Sequence, residues 1–361
     1  MKPELLKARI KNLRGVLKQK KLNALIVCKK ANVTYLTGFT GDDSWLVVTG
    51  RAAWLMTDSR YTAQAKKQCH ACKIFERNCS LVKAAAKILQ NISAEKTTAV
   101  EDCIEVGVFD SIKKQLNCRI RKTNNLVEQL RVVKHQSEFD QIIKAGKIAA
   151  DALAKTRRKV RLGMTENEFA GMIDFAIRQQ GSRNSFETIV AFGPNAAMAH
   201  HQPGKRKLRK NDTILIDYGA VSGGYRCDVT RCFATGKVSL AYAKIYNAVF
   251  HAQQAAIAKI APGVKISEVE AAAKSVLAEY SLPAYAHGTG HGLGLEVHEA
   301  PFVSTMVKGN LKTGQVITIE PGVYIDGKFG VRIEDDILVT ETGAKILTTP
   351  LKNPNVPKLK I

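Results

Sequence analysis

Thr213-Ile-Leu-Ile-Asp217-Tyr218 and Cys227-Asp228-Val-Thr-Arg-Cys-Phe233 read as the two arms of one hairpin, joined across Ser222-Gly223-Gly224. Both arms are rich in β-branched and aromatic residues, and the segment between them carries turn residues. Each arm places a carboxylate on a strand that otherwise reads as buried. A second pair has the same form: Val316-Ile-Thr-Ile-Glu320-Pro-Gly-Val-Tyr324 is answered by Gly330-Val-Arg-Ile-Glu334-Asp-Asp-Ile-Leu338 across Asp326-Gly327. Opposed residues in an antiparallel hairpin have a constant index sum. Asp217 faces Asp228 if the first turn centres between Ser222 and Gly223. Glu320 faces Glu334 if the second centres on Gly327. Opposed residues have Cβ atoms about 5 Å apart, so each hairpin is expected to present a carboxylate pair on one face.

Two like charges that close in a strand-rich core are costly on their own. Four carboxylates approximately neutralise two divalent cations. Two such ions roughly 3.5–4 Å apart activate a bridging water and stabilise a tetrahedral oxyanion. The competing reading is a pair of unrelated acidic surface hairpins. The histidines favour the metal reading. Five of the eight fall in two motifs, Ala199-His200-His201-Gln202-Pro203 and His287-Gly-Thr-Gly-His291-Gly-Leu-Gly-Leu-Glu-Val-His298-Glu299. A histidine beside metal-bound carboxylates serves as a ligand, a proton shuttle or a donor to an oxyanion. His70, His135 and His251 have no such context and read as structural or solvated. The glycine-rich motif lacks the Gly-Lys-Ser/Thr ending of a phosphate loop and the full dinucleotide fingerprint, which argues against nucleotide binding.

Around these hairpins lie helical patterns at 138–156, 242–260 and 267–279, and one that Thr165 caps with Glu168 three residues on. Residues 1–125 alternate helix and strand differently: a helix at 3–20, strands at 23–27, 45–48 and 53–56, a helix from Tyr61 capped by Asp58 or Ser59, a helix at 80–92, and short strands near 99–100 and 118–120. The expected organisation is an α/β amino-terminal domain at 1–125, a linker at 126–136 and an α+β domain at 137–361. The tail from Pro350, with three prolines, reads as poorly packed.

Bulk properties bound the partners. The chain has 361 residues and a formal net charge of +23, from 55 basic and 32 acidic residues. That raises the prior for nucleic acid or anionic lipid. The charge is spread out, however, and clusters such as Arg157-Arg158-Lys159 and Lys205-Arg206-Lys207 are brief, so a basic solvated surface with no specific nucleic-acid partner is expected. The eight cysteines lack a second Cys-x-x-Cys pair to complete Cys69-His70-Ala71-Cys72 as a zinc site, and free thiols are expected. No apolar run suggests a secretory leader or a spanning helix. A cytoplasmic location is expected.

The motifs together resemble the proline-specific metallopeptidases of the pita-bread fold, the Xaa-Pro aminopeptidases and Xaa-Pro dipeptidases (prolidases). Asn32-Val-Thr-Tyr-Leu-Thr-Gly-Phe-Thr-Gly41 and Thr57-Asp-Ser-Arg-Tyr61 resemble that family's creatinase/prolidase-type amino-terminal domain. Asp217-Tyr-Gly, Asp228-Val-Thr-Arg, His287 to Glu299, Ile319-Glu-Pro-Gly and Val331-Arg-Ile-Glu-Asp335 resemble its catalytic motifs. The resemblance implies two divalent ions; one histidine against four carboxylates is an oxygen-rich set that suits manganese, with zinc or cobalt as alternatives. Asp217 would bind one ion, His291 and Glu320 the other, and Asp228 and Glu334 would bridge them. Glu320 would help take a proton from the metal-bound water. His200 and His298 would contact the scissile amide, His287 would line the proline side, and Arg332 would orient carboxylates. It further implies a homodimer acting on peptides with proline second. The segment Asn32–Gly41 and the compact length look more like the small bacterial Xaa-Pro aminopeptidases, and the lack of an arginine-bearing insertion between His291 and Glu320 also favours an aminopeptidase over a dipeptidase. A methionine aminopeptidase would share the carboxylate pattern; the separate amino-terminal domain and His298-Glu299 argue against it.

Overall fold

The computed structural model describes residues 2–283, 285–348 and 352–359. The chain divides after Arg131 into two compact units. The first unit is a six-stranded mixed sheet with the strand order Lys73–Glu76, Ala53–Thr57, Trp45–Thr49, Ala24–Val27, Thr97–Glu101, Arg119–Thr123. Helix Pro3–Gln19 buries Leu6, Ile10, Leu13 and Leu17 at the spacing the sequence predicts. Asp58 caps helix Ser59–Gln68 by accepting from Arg60 N. Helices Lys30–Thr37 and Val106–Gln115 and the edge strand Lys73–Glu76 escape the sequence reading. Each is short, and the strand is only half-buried, so periodicity has little to act on.

The second unit has two halves, each an antiparallel sheet backed by two helices. Helices Gln136–Thr156 and Glu166–Gln179 share a core with the three-stranded sheet of Ile189–Phe192, Thr213–Tyr218 and Val229–Ala234. Helices Leu240–Lys259 and Ile266–Glu279 share another with the five-stranded sheet containing Gly290–Gly292, Val316–Ile319 and Asp335–Val339. The halves repeat local features. Gly163 and Gly263 hold φ of 83° and 86° just before the second helix of each pair. Thr165 and Lys265 then form β-bridges, to Lys207 and to Asn310. The repeat is invisible to simple sequence reading because the halves share only turn geometry and apolar spacing.

The first hairpin departs from its expected register. Asp217 pairs with Thr230, and Tyr218 with Val229. At the tip Ser222 pairs with Tyr225, so the turn centres between Gly223 and Gly224. Both have positive φ, 56° and 89°, as a two-residue hairpin loop requires at both positions. Moving the centre by one residue shifts the pairing by two, and strand faces alternate with period two. Asp228 is therefore diagonal to Asp217 on the same face, not opposite it. The second hairpin keeps its expected register. Val316 pairs with Leu338 and Ile325 with Phe329, both consistent with a centre at Gly327.

Pro350 lies outside the described residues, but the described part of the tail, 352–359, is anchored at its two ends, against expectation. Leu359 N donates to Ala234 O, Ala234 N donates to Pro357 O, and Leu359 is buried. Lys352 reaches the buried carboxylate of Asp335. The apolar side chain of Leu359 and these pairings outweigh the prolines. The stretch 126–136 is also ordered, with Leu126 and Val127 buried and Lys134 N donating to Gly314 O.

Candidate active site

The second hairpin is broken where its carboxylates sit. Ladder pairing stops at Ile319 and Asp335 and resumes at Gly322 and Arg332. Pro321, which has no N–H, lies in the gap. The backbone amides of both glutamates turn elsewhere: Glu320 N donates to Thr289 O, and Glu334 N donates to Thr230 O. The break thus ties the second hairpin to the glycine-rich segment on one side and to the first hairpin on the other. Close packing demands glycine in that segment. A Cβ on Gly290 would lie 1.9 Å from the Thr318 carbonyl oxygen. Gly290→Ala is expected to destabilise the protein by about 3 kcal/mol or more. Gly171→Ala, in a helix with open space around it, is expected to stabilise it by about 0.5–1 kcal/mol. Urea midpoints of the two variants that move in the same direction would refute this reading of the packing.

The result is a cavity of about 530 Å³ into which all nine candidate residues project: His200, Asp217, Asp228, His287, His291, His298, Glu320, Arg332 and Glu334. Asp228, His291 and Glu334 offer ligand atoms that all lie within 4.8 Å of one another. His291 Nε2 lies 3.3 Å from Glu320 Oε1 and 3.8 Å from Asp228 Oδ2. Its other nitrogen, Nδ1, is 3.0 Å from Gly292 O. A carbonyl there requires an N–H at Nδ1, so in the neutral imidazole the lone pair lies on Nε2, facing the carboxylates. Without a cation, burial works against protonation, but the hydrogen bond and charge of Glu320 outweigh it and raise the pKa of His291. Arg332 Nη2 donates to Asp217 Oδ2 at 2.6 Å, its Nη1 to Tyr324 Oη at 2.8 Å and its Nε to Thr230 Oγ1 at 3.1 Å.

The adjacent histidines separate clearly. His201 Nε2 is 2.9 Å from the buried Glu166 carboxylate, which also accepts from Phe192 N and Gly204 N. His201 is thereby committed to the scaffold, whereas His200 opens to the cavity. His298 stands edge-on to His291, with ring centroids 4.4 Å apart. Its neighbour Glu299 is buried, accepts from Glu296 N and lies 3.4 Å from Lys134 Nζ. His287 stacks on Tyr285 at 4.9 Å and places Nε2 3.1 Å from Tyr324 Oη.

Three polar residues around the carboxylates were not singled out from the sequence: Thr230, Thr318 and Tyr324. Thr230 Oγ1 donates to Glu334 Oε2 at 2.6 Å. Thr318 Oγ1 donates to Glu320 Oε1 at 3.2 Å and accepts from His291 N. The signal that could have found two of them is period two: Thr230 follows Asp228 by two and Thr318 precedes Glu320 by two, on the same strand face.

Residues 140–341 match Metallopeptidase family M24, and residues 9–133 match the Creatinase/Prolidase N-terminal domain. The chain belongs to metallopeptidase family M24. It is 30% identical over 350 residues to the Xaa-Pro dipeptidase of Pyrococcus horikoshii, covering 96% of this chain and 98% of that one. Its structure superposes on the Xaa-Pro dipeptidase from Bacillus anthracis with a TM-score of 0.94 at 30% identity, covering 98% of this chain and 100% of that one. Against the X-Pro aminopeptidase from Thermotoga maritima the TM-score is 0.87 at 30% identity, covering 93% and 97%. The fold is therefore the α/β amino-terminal domain and the α+β pita-bread domain that the motifs implied.

The donor set of this M24 peptidase fits a bound cation. Burial pushes the pKa values of Asp228 and Glu334 well above the usual carboxylate range, and the neighbouring carboxylates push them further. Asp217 is raised by burial, with Arg332 opposing. Burial also acts on Glu320, but the hydrogen bond and charge of His291 outweigh it and hold that carboxyl low. Asp217 Oδ1 and Asp228 Oδ1 are buried with no hydrogen-bond partner. Buried anionic oxygens left without donors are what a divalent cation satisfies. Thr230, Thr318 and Arg332 each hold one oxygen, of Glu334, Glu320 and Asp217 respectively, the outer support that metal-binding carboxylates require.

Among the described residues the eight cysteines are free thiols. Cys28 and Cys103 approach to 3.6 Å between sulfurs. Cys69, Cys72 and Cys79 do not form a ligand cluster.

Proposed function

We propose that this peptidase hydrolyses the peptide bond preceding proline, with Xaa-Pro dipeptides as its substrates. The observation that carries a hydrolytic reading is the convergence of Asp217, Asp228, His291, Glu320 and Glu334 on one cavity. These five would hold two divalent ions, which when bound polarise a carbonyl and lower the pKa of water. An oxygen-rich set with one imidazole suits manganese, with zinc or cobalt as alternatives.

The chain's own residues supply the rest. Glu320, ionised when the cations are bound, would accept a proton. His200 and His298, on the exposed rim, would donate to charge developing on the scissile amide. His287 has its pKa lowered by burial. Held neutral between Tyr285 and Tyr324, it would form a flat wall suited to a proline ring. Arg332 would fix Asp217.

The dipeptide preference takes its support from the relatives named dipeptidases, at the higher structural similarity. It replaces the aminopeptidase expectation, which rested on the segment Asn32–Gly41, on chain length and on the absence of an insertion. One observation still favours an aminopeptidase. Among the described residues lining the cavity, Arg332 is the sole arginine or lysine, and it is committed to Asp217 and Tyr324. A dipeptide's terminal carboxylate would have to be met by histidine instead of the usual free cation. The test is hydrolysis of Ala-Pro, Ala-Pro-Ala and a longer Ala-Pro peptide by metal-loaded enzyme, with Met-Ala as a control. Cleavage confined to Ala-Pro is expected. Efficient release of alanine from the longer peptides selects the aminopeptidase, and preference for Met-Ala defeats both.

A further inference from the structure

Two short basic strings that look unrelated in the sequence are brought together in the catalytic unit. Arg157-Arg158-Lys159-Val160-Arg161 closes the first helix of its pair, and Lys205-Arg206-Lys207-Leu208-Arg209-Lys210 leads into strand Thr213–Tyr218. The backbone stitches them side by side. Gly163 N donates to Leu208 O, Leu208 N to Met164 O and Glu166 N to Arg206 O. Alternation along the second string turns Leu208 inward, where it is buried, and leaves Lys207 and Arg209 exposed. Val160 is likewise buried, while Arg158, Lys159 and Arg161 are exposed. Lys210 is exposed next in line, and Lys237 joins the same edge, its backbone N donating to Asn211 Oδ1.

Acidic groups nearby do little to offset this charge. Asp212 is taken up by Arg206 Nη1 and Nη2 at 2.7 and 3.0 Å. Glu168 is engaged in capping its helix through Thr165 N and Oγ1, though its charge is felt by Arg161 and Lys207. Among the described residues, none of Arg158, Lys159, Arg161, Lys207, Arg209 and Lys210 is held in an ion pair. Beside the two strings the large apolar side chain exposed is Leu162, and Leu240 is exposed three residues beyond Lys237.

We propose that this face binds the phosphate backbone of nucleic acid, without sequence preference. The composition selects that partner. Protein–protein interfaces are depleted in lysine and centre on apolar anchors, which this face lacks. Docking on a lipid surface draws on buried apolar area as well as charge, and two leucines, Leu162 and Leu240, offer little. Nucleic-acid interfaces are by contrast strongly cationic and polar. The face carries no exposed aromatic residue for base stacking, so it reads duplex backbone and not single-stranded bases. The activity of the metal site plays no part in this inference.

Binding is measured by fluorescence anisotropy of the full chain against a labelled 20-base-pair DNA duplex of mixed sequence. Micromolar affinity is expected at 50 mM salt. If about five cations each neutralise a phosphate, affinity should fall roughly 500-fold between 50 and 200 mM salt. The variant R158E/R161E/K207E/R209E is compared with K66E/K67E/K113E/K114E, which changes net charge equally but on exposed lysines of the amino-terminal unit. The first variant should bind at least ten-fold more weakly and the second within two-fold of the parent. Equal weakening in both would show that overall charge is responsible and would overturn the proposal. So would absence of binding, or a preference of the parent for phosphatidylserine vesicles over the duplex. Unchanged thermal unfolding identifies a folded variant. If the reversals unfold the chain, R158Q/R161Q/K207Q/R209Q replaces them, with a loss of at least three-fold expected.

Discussion

Glu334→Ala is expected to lower kcat/KM by about 10³-fold or more, a loss of roughly 4 kcal/mol of transition-state stabilisation. It should also reduce the bound metal from two ions per chain. Glu334 is almost fully buried, its backbone N is tied to Thr230 O, and Thr230 Oγ1 holds one carboxylate oxygen. A carboxylate oxygen of Glu334 lies within 4.8 Å of ligand atoms of Asp228 and His291. If Glu334 bridges two ions, alanine in its place damages both positions, and added metal cannot restore full rate. If it serves one ion, high metal concentration should recover much of the activity. Elemental analysis of the loaded parent and variant, alongside kinetics across a manganese titration, separates these outcomes. Parent-like activity in Glu334→Ala would sink the ligand assignment. Active parent protein holding fewer than two ions would sink the dinuclear reading alone. Thr230→Val, which removes only the supporting hydroxyl, should cost 10–100-fold, as loss of an outer partner typically does.

Much of this site was legible because period-two alternation survives an error of register. Misplacing the Gly223-Gly224 turn by one residue put Asp228 opposite Asp217 where Thr230 stands, yet left both aspartates on one face. The second hairpin was placed correctly because Gly327 is the one glycine at its tip and takes a positive φ of 65°. The sequence did not show that this hairpin breaks at Glu320-Pro321. It follows from contacts with distant segments, Thr289 and Thr230, and no local pattern encodes them. The support beneath the site was hidden for the same reason. Arg231 is fully buried and donates to Asp335 Oδ1 at 2.7 Å, while Lys352 reaches that carboxylate from a tail that composition alone marked as loose. Buried charges reveal themselves through partners, and these partners are over a hundred residues apart or lie in a proline-rich stretch. The two basic strings behave likewise: each is brief alone, and only the pairing of Gly163 with Leu208 makes them one face.

Metal removal is expected to reverse the way stability responds to pH between about 5 and 8. Burial and mutual repulsion raise the pKa values of Asp228 and Glu334, and burial raises that of Asp217. In the unfolded chain these groups titrate near 4. Above that pH the metal-free folded state holds protons that the unfolded state has released, so stability falls as pH rises towards the raised values. Each unit of upward shift costs about 1.4 kcal/mol once the window is crossed. Glu320 and Asp335 act oppositely. Burial acts to raise both, but His291 outweighs it at Glu320, as Arg231 and Lys352 do at Asp335. Their contribution is present at neutral pH and is lost in acid, below the window considered; within it His287 and His298, whose pKa values burial lowers, partly offset the fall. Chelated protein should therefore melt at a lower temperature at pH 8 than at pH 5, whereas metal-loaded protein, whose ligands stay ionised against the cations, should not show that fall. Glu334→Gln sharpens the contrast by removing one of the crowded charges while keeping its shape. It should raise the melting temperature of chelated protein at pH 8 and lower that of loaded protein at the same pH. A chelated parent equally stable at pH 5 and pH 8 would mean that the cluster is not short of positive charge. A variant that loses stability in both states would mean that Glu334 is held by Thr230 and Arg332 for structural reasons alone. A crossing of the two effects requires a buried site that is strained when empty and satisfied by cations.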